Sequence, residues 1–175
     1  MKILVWLSWW VDSAVSAYLL KEAGHEVACG FMINYLDEEN PSACPTLADL
    51  EEAKKVAAYL DLPLYTFDYR EEYEKRIVEY IYREYEAGRT PNPDVFCNNL
   101  VKFDLFLEEA VSLGYDAIAT GHYARTCHVD KGDILLWIHE QDFSQARNDR
   151  KIHLLKWVDP TKDQSYFLSR LSEKQ

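Results

Sequence analysis

Glycine is scarce in this chain, with six residues in 175, and the first is Gly24. The scarcity matters at Lys2–Ser13, KILVWLSWWVDS. An apolar run, Ile3 to Leu7, reads as a buried strand. A tight turn leads from it into a helix that Asp12 or Ser13 can cap. Strand, turn and helix start are the frame of a phosphate cradle. Such a turn is normally built of glycine, because the backbone approaches the anion closely and often needs φ > 0. Trp9 and Trp10 stand in it instead. The same frame with a capping Asp and Ser also serves ordinary α/β packing.

Other absences narrow the class. The four cysteines, Cys29, Cys44, Cys97 and Cys127, form no CxxC pair, so neither a zinc site nor a disulfide framework is expected, and a single functional thiol is the more informative option. No apolar run approaches the roughly 18 residues of a membrane span. No leader pattern precedes the first strand, so a cytosolic location is expected. There is no internal repeat. Positive charge is also lacking: the net charge is −11, which argues against a uniformly basic nucleic-acid binder. The balance is uneven. From Arg147 to Gln175, seven Lys/Arg stand against four Asp/Glu, which is +3 and leaves −14 on residues 1–146. A basic tail on an acidic body can meet phosphates locally, although charge runs also serve simply as solvated faces.

What is present alternates strand and helix. Helices are expected over 13–23, 47–60, 71–87 and 99–113, with Gly24, Gly88 and Gly114 as natural stops. Strands are expected at 3–7, 26–34, 64–69 and 117–120, and residues 35–46 and 89–98 read as loops. The alternation predicts an α/β fold, a doubly wound parallel sheet with helices on both faces. Ligands of such sheets bind at the carboxyl ends of the strands, so Ser8–Ser13, Met32–Asn34 and Thr120–His122 should converge. Two parts are expected: residues 1–125 as the nucleotide-binding domain, and 126–175 as a hairpin extension and the start of a further, partner-contacting region. The hairpin strands are placed at 134–138 and 152–158, with a polar tip at 141–150.

Four constellations could carry chemistry. The Ser8–Ser13 turn could hold a pyrophosphate, with Asp12 near a metal ion. The loop Arg89–Asn98 places Asp94 and Cys97 at the mouth of a helix. There a thiol pKa is expected to fall, making Cys97 a nucleophile and Asp94 its proton shuttle; alternatively Cys97 is a plain buried thiol and Asp94 a cap. Thr120-Gly121-His122 could touch a ligand, or His122 could be a core histidine. Lys162-Asp163-Gln164 suits phosphate and base contacts.

Jointly these segments resemble the tRNA 2-thiouridylase family, a branch of the PP-loop ATP pyrophosphatases. The resemblance rests on Ser8 with Val11-Asp12-Ser13, Phe31-Met32-x-Asn34, TPNPDxxCN from Thr90 to Asn98, Lys102-Phe103, Ala119 to Tyr123, and KDQSYFL from Lys162 to Leu168. It implies that ATP adenylates the C2 oxygen of a tRNA uridine and that a cysteine persulfide delivers sulfur, with a sulfur-carrier protein or other persulfide donor as partner. By the same resemblance Cys97 is the nucleophile and Asp94 its acid/base partner. Asn92, Pro93 and Asp94 meet the target base, which must be flipped out. Trp6, Leu7, Ser8, Trp9, Trp10, Val11, Asp12, Ser13, Met32 and Gly121 fall at ATP positions. Lys162, Asp163 and Gln164 fall at tRNA positions, and Mg2+ is expected to arrive with the nucleotide.

Two departures qualify this. Trp6, Trp9, Trp10 and Trp157 stand where the family has glycine. The indoles are expected to close the phosphate pocket and to cost about 1–3 kcal/mol wherever φ > 0 was required. The family also continues into further domains that carry a second cysteine, which pairs with the first in a disulfide; Cys29, Cys44 and Cys127 do not match it. A truncated, impaired enzyme is the leading expectation. A non-catalytic tRNA-binding or scaffold module and another PP-loop amidating synthetase remain as alternatives, the latter disfavoured by a thiol it would not use.

Overall fold

The computed structural model describes residues 1–37, 39, 44–128, 134–135 and 152–172. Contacts divide the chain into two units, Met1–Gly121 and His122–Gln175.

The first unit is built on a parallel sheet of β1 (Lys2–Trp6), β2 (Glu26–Ile33), β3 (Leu64–Asp68) and β4 (Ala117–Ala119), in the order β3-β2-β1-β4. The crossovers are α1 (Val11–Glu22) and α2 (Pro45–Tyr59), then a longer excursion from β3 to β4. The α/β parallel sheet expected from the alternation is present. β1 lies between β2 and β4, and the chain order reverses beside it. The crevice at the carboxyl ends of β1 and β4 is therefore the switch point.

Period-two alternation separates two packed faces. Ile3, Val5, Leu7, Val27, Cys29 and Phe31 point to one face and bury against Ala17 of α1 and Leu50, Ala53 and Ala57 of α2. The α2 residues are spaced by three and four, so they form one helical stripe. The register pairs Trp6 with Gly30 and Met32 with Phe67 on the opposite face. There Phe67 stacks edge-on against Phe106 at 5.6 Å. Gly30 is required at this crossing: a Cβ on it would lie 2.6 Å from the Phe106 ring.

The excursion consists of two antiparallel helical arms, each interrupted by a π-helical turn. The first is α3 (Arg70–Tyr73), a π segment Glu74–Val78, and α4 (Glu79–Glu86). The second is α5 (Pro93–Cys97), a π segment Asn98–Leu105, and α6 (Phe106–Ser112). Arg76 ties them together by donating to the Leu100 carbonyl at 3.0 Å and to Asp104 at 2.8 Å. Tyr80 packs on Phe96 with ring centroids 4.2 Å apart. The loop expected over 89–98 is thus shorter than its prolines suggested. Pro93 begins a helix, a position where its missing N–H costs nothing, and Asn92 caps it by accepting from the Val95 N–H at 3.3 Å.

Helix α1 begins two residues before Ser13, and neither Asp12 nor Ser13 is its N-cap. Trp10 holds that position with φ −77° and ψ 147° and makes no side-chain cap bond. The helix stops where expected, at Gly24 with φ +82°, the left-handed conformation that glycine adopts without strain.

The second unit carries a three-stranded antiparallel sheet in the order β6-β5-β7, from β5 (Arg125–His128), β6 (Ile134–Leu135) and β7 (Ile152–Leu155). The strand expected over 152–158 stops at Leu155. The remainder of the 134–138 strand and the 141–150 tip lie outside the described residues. A short 3-10 turn, Ser165–Leu168, follows. No helix among the described residues is long and apolar enough to cross a membrane.

Candidate functional site

The Ser8–Ser13 turn leaves β1 at the switch point. Ser13 is buried, 2% exposed, and its hydroxyl organises the turn. It lies 2.9 Å from the Ser8 hydroxyl, 3.0 Å from the Ser8 carbonyl and 2.9 Å from the Trp10 carbonyl. It also accepts the Ser8 N–H at 3.1 Å, and the Ser8 hydroxyl accepts the Trp10 N–H at 3.4 Å. Two backbone donors of the cradle are therefore turned inward onto serine oxygens. The first N–H groups of α1 have no intrahelical partner by position, and a helix start of this kind at the end of a strand is where a phosphate would bind.

The tryptophans sit otherwise than expected. Trp9 and Trp10 are 48% and 59% exposed, with ring centroids 4.8 Å apart. None of Trp6, Trp9 and Trp10 has a positive φ; among described non-glycine residues only Asp61 does, at +51°. The expected backbone strain is therefore absent. The turn takes ordinary φ values and closes on the serine hydroxyls, which removes the need for glycine conformations.

Thr120 and Gly121 reach the same place, as expected of strand ends at a switch point. Ser16 donates to the Thr120 carbonyl at 3.5 Å. A Cβ on Gly121 would come within 2.8 Å of the Ser13 nitrogen and 3.0 Å of the Asp12 carbonyl carbon. Those are backbone atoms and cannot swing aside. Gly121→Ala is therefore expected to push β4 away from the start of α1 and to lower stability by about 1–3 kcal/mol in urea unfolding. An unchanged midpoint would show that the approach is not tight. Met32, expected near a nucleotide, is 5% exposed and lies on the sheet face that the second helical arm covers.

That arm carries Cys97 and Asp94. Asp94 is exposed in the first turn of α5, and Cys97 is half-buried at its end. The expected fall in the thiol pKa does not occur. Burial pushes Cys97 above its ordinary value and the Asp94 charge adds to the rise, while the Lys102 ammonium pulls it back. Burial wins because Cys97 lies at the inner end of α5, where the helix runs on into the π segment, and not at its open N-terminus. Cys29, Cys44 and Cys97 are free thiols, so the described residues show no disulfide; the Cys127 side chain lies outside them.

Sequence reading missed two groups whose charge bears on this arm. Lys102 sits with its Nζ 3.9 Å from the centroid of the Trp6 ring. Tyr73 of α3 is raised by burial first, and then by the charges of Cys97 and Asp94. Lys102 belonged to a motif but stood five positions from Cys97, off its face by α-helical counting. Tyr73 carried no signal beyond its place on an apolar stripe.

In the second unit, Asp163 and Gln164 build a turn. Asp163 accepts from the Trp157 N–H at 2.8 Å and from Ser165 N–H and Oγ at 3.3 and 3.0 Å. Gln164 and Tyr123 bond reciprocally, the Tyr123 N–H to Oε1 at 3.0 Å and the Gln164 N–H to the Tyr123 carbonyl at 2.9 Å. Lys162 is the exposed member of this trio. Trp157 packs edge-on against Tyr123 at 5.8 Å.

Comparison with known proteins agrees with this frame. A family model described as the tRNA methyl transferase HUP domain matches residues 1–175. Curated relatives named tRNA-specific 2-thiouridylase MnmA include those of Christiangramia forsetii (46% identical, 99% of this chain, 41% of the relative), Albidiferax ferrireducens (44%, 99%, 44%) and Pediococcus pentosaceus (42%, 99%, 41%). The chain thus spans about two fifths of their length. A solved structure from Methanocaldococcus jannaschii, described as a predicted subunit of tRNA methyltransferase, is 16% identical, covers 69% of this chain and 52% of its own, and has a TM-score of 0.46. A parallel sheet with its switch point beside β1, carried by a sequence that matches the family model from end to end, places the chain in the tRNA methyl transferase HUP domain family.

Proposed function

We propose that this chain is the catalytic N-terminal part of a tRNA uridine 2-sulfurtransferase, with Cys97 as the sulfur-carrying thiol. The observation that carries the reading is Cys97 on the second helical arm, with Asp94 in the same helical turn and Asn92 capping that helix. The relatives' shared name supports the substrate class. Asn92 to Asp94 would meet the target base, which must leave its stack to reach the thiol. Asp94 is exposed and can move a proton at the base edge. Lys162 would contact tRNA phosphate.

ATP and Mg2+ fit in part. The N-terminus of α1, the Ser8 and Ser13 hydroxyls and the close approach of Gly121 suit a pyrophosphate, with Asp12 in the first helical turn as the carboxylate for a phosphate-bound Mg2+. When bound, ATP would supply the leaving group that activates the uridine C2 oxygen. Two of the turn's N–H donors are already bonded to serine oxygens, and the turn itself carries the bulky Trp9 and Trp10 side chains. The chain as it stands is therefore expected to bind Mg-ATP with a Kd weaker than about 1 mM, and the Trp6→Gly/Trp9→Gly/Trp10→Gly variant to reach the order of 10 μM. Titration calorimetry on both reads this; micromolar binding by the unsubstituted chain would show that the turn opens freely.

The inward-bonded turn also favours a second reading, a tRNA-binding module on the same fold without nucleotide chemistry. Filter binding of tRNA with and without Mg-ATP separates the two. Nucleotide-dependent binding by the glycine variant supports the enzyme; equal binding in both conditions supports the module.

A further inference from the structure

The second arm starts on α5, which is five residues long. A helix start of that length is marginal by itself, so contacts from outside it fix its orientation. Two such contacts come from α4, through Tyr80 and Glu84. These residues are four apart and therefore share one helical face.

Tyr80 is half-buried and holds both ends of α5. Its hydroxyl accepts the N–H of the cap residue Asn92 at 3.3 Å. Its ring packs on Phe96, with centroids 4.2 Å apart and planes tilted by 34°. Asp94 lies in sequence between these two points. A short helix held at its cap and again near its end is fixed in rotation about its axis, and that rotation decides where Asp94 points. Glu84 holds the turn that leads into the helix. The Arg89 guanidinium grips its carboxylate as a fork, Nε to one oxygen at 2.6 Å and Nη2 to the other at 2.8 Å. The Arg89 N–H also donates to the Glu84 carbonyl at 2.9 Å. Gly88, with φ +70°, makes the reversal that allows both bonds. Residues 89–92 are thus moored at each end to one turn of α4.

We propose that Tyr80 and Glu84 are positioning residues for uridine recognition: they moor the 89–92 turn and the start of α5 to α4, and so set the direction in which Asn92 and Asp94 meet the target base. Neither touches base or sulfur; both act through the segment they hold. The role rests on residues 92–94 being the target-base segment, whereas the mooring is a property of the folded chain.

The test is the binding of two hairpin RNAs to the whole chain. The RNAs differ in one loop base, uridine or cytidine, and fluorescence anisotropy compares the unsubstituted chain with Tyr80→Phe and Glu84→Ala. Tyr80→Phe keeps the ring on Phe96 and removes only the acceptor of the Asn92 N–H. It is expected to lower the preference for uridine about threefold, the effect of one hydrogen bond, with the cytidine hairpin bound as before. Glu84→Ala, which frees Arg89, should lower the preference in the same way; an unchanged preference there removes Glu84 from the proposal. An undiminished preference in Tyr80→Phe overturns it, and so does equal weakening of both RNAs, which is what a loss of structure alone would produce. Amide hydrogen exchange needs no RNA and reads the mooring directly. The Asn92 and Val95 N–H groups should exchange about threefold faster in Tyr80→Phe, and unchanged exchange overturns the mooring. Faster exchange in Tyr80→Phe, with no preference for uridine even in the unsubstituted chain, would instead count against the sulfurtransferase reading of residues 92–94 and leave the mooring standing.

Discussion

Cys97→Ser is expected to abolish transfer of sulfur onto this chain. Under the proposed function the step is a transpersulfidation: the Cys97 thiolate would attack the outer sulfur of a donor persulfide, the donor sulfur–sulfur bond would break, and the donor would leave as a thiolate while Cys97 became the persulfide. A serine hydroxyl cannot substitute, because it is not ionised at neutral pH and forms no equivalent of the persulfide. Intact-mass analysis after exposure to a small-molecule persulfide donor measures the step without the family's later domains. The loss should be complete at position 97, with no change in unfolding midpoint, since serine is nearly the same size and the site is only half-buried. Persulfide formed at Cys97 should appear faster as pH rises. The sign follows from the pKa: burial holds the thiol protonated at neutral pH, so thiolate accumulates only on approach to the raised value. Persulfide formation undiminished in Cys97→Ser would move the role to another thiol. Cys44 would then be the first to examine, because the Asp37 N–H bonded to it at 3.4 Å favours its thiolate.

Phe106→Ala is expected to produce the largest loss of stability. Phe106 is fully buried and joins the second helical arm to the sheet through Phe67 and Gly30. Truncation removes the ring's burial and leaves a cavity with it, a cost of about 3–5 kcal/mol against a total of about 5–15 for a domain of this kind. Urea unfolding at constant slope measures it. The Gly30→Ala/Phe106→Ala double variant should recover part of the loss, because the new methyl occupies space the ring has vacated. Gly30→Ala alone should be destabilising, because its Cβ would fall 2.6 Å from the ring. Strict additivity of the two would show that they do not share the contact.

Much of the unit 1–121 was legible from sequence because its determinants are local. The apolar run Ile3–Leu7 and the stripe Leu50, Ala53, Ala57 carry their periods on the chain, and both bury as expected. The motif around Asp94 and Cys97 was legible as residue types at a spacing. Its backbone was not: two prolines read as a loop, and Pro93 starts a helix because the first helical position tolerates a residue without an N–H.

The sequence by itself determined the strand–helix alternation, hence the parallel sheet, the crevice at its carboxyl ends, and a thiol and a carboxylate three residues apart. Tertiary structure alone decided four things. Trp9 and Trp10 take unstrained backbone conformations, because Ser8 and Ser13 close the turn. The thiol rises in pKa because the folded arm buries it. The second arm widens into a π segment at Asn98–Leu105. Trp6 then receives the Lys102 ammonium on its ring. Periodicities of two and 3.6 residues can be read along a chain. Contacts between β1 and a helix far down the sequence depend on how the sheet is covered, and a helix widens to π only where packing favours it.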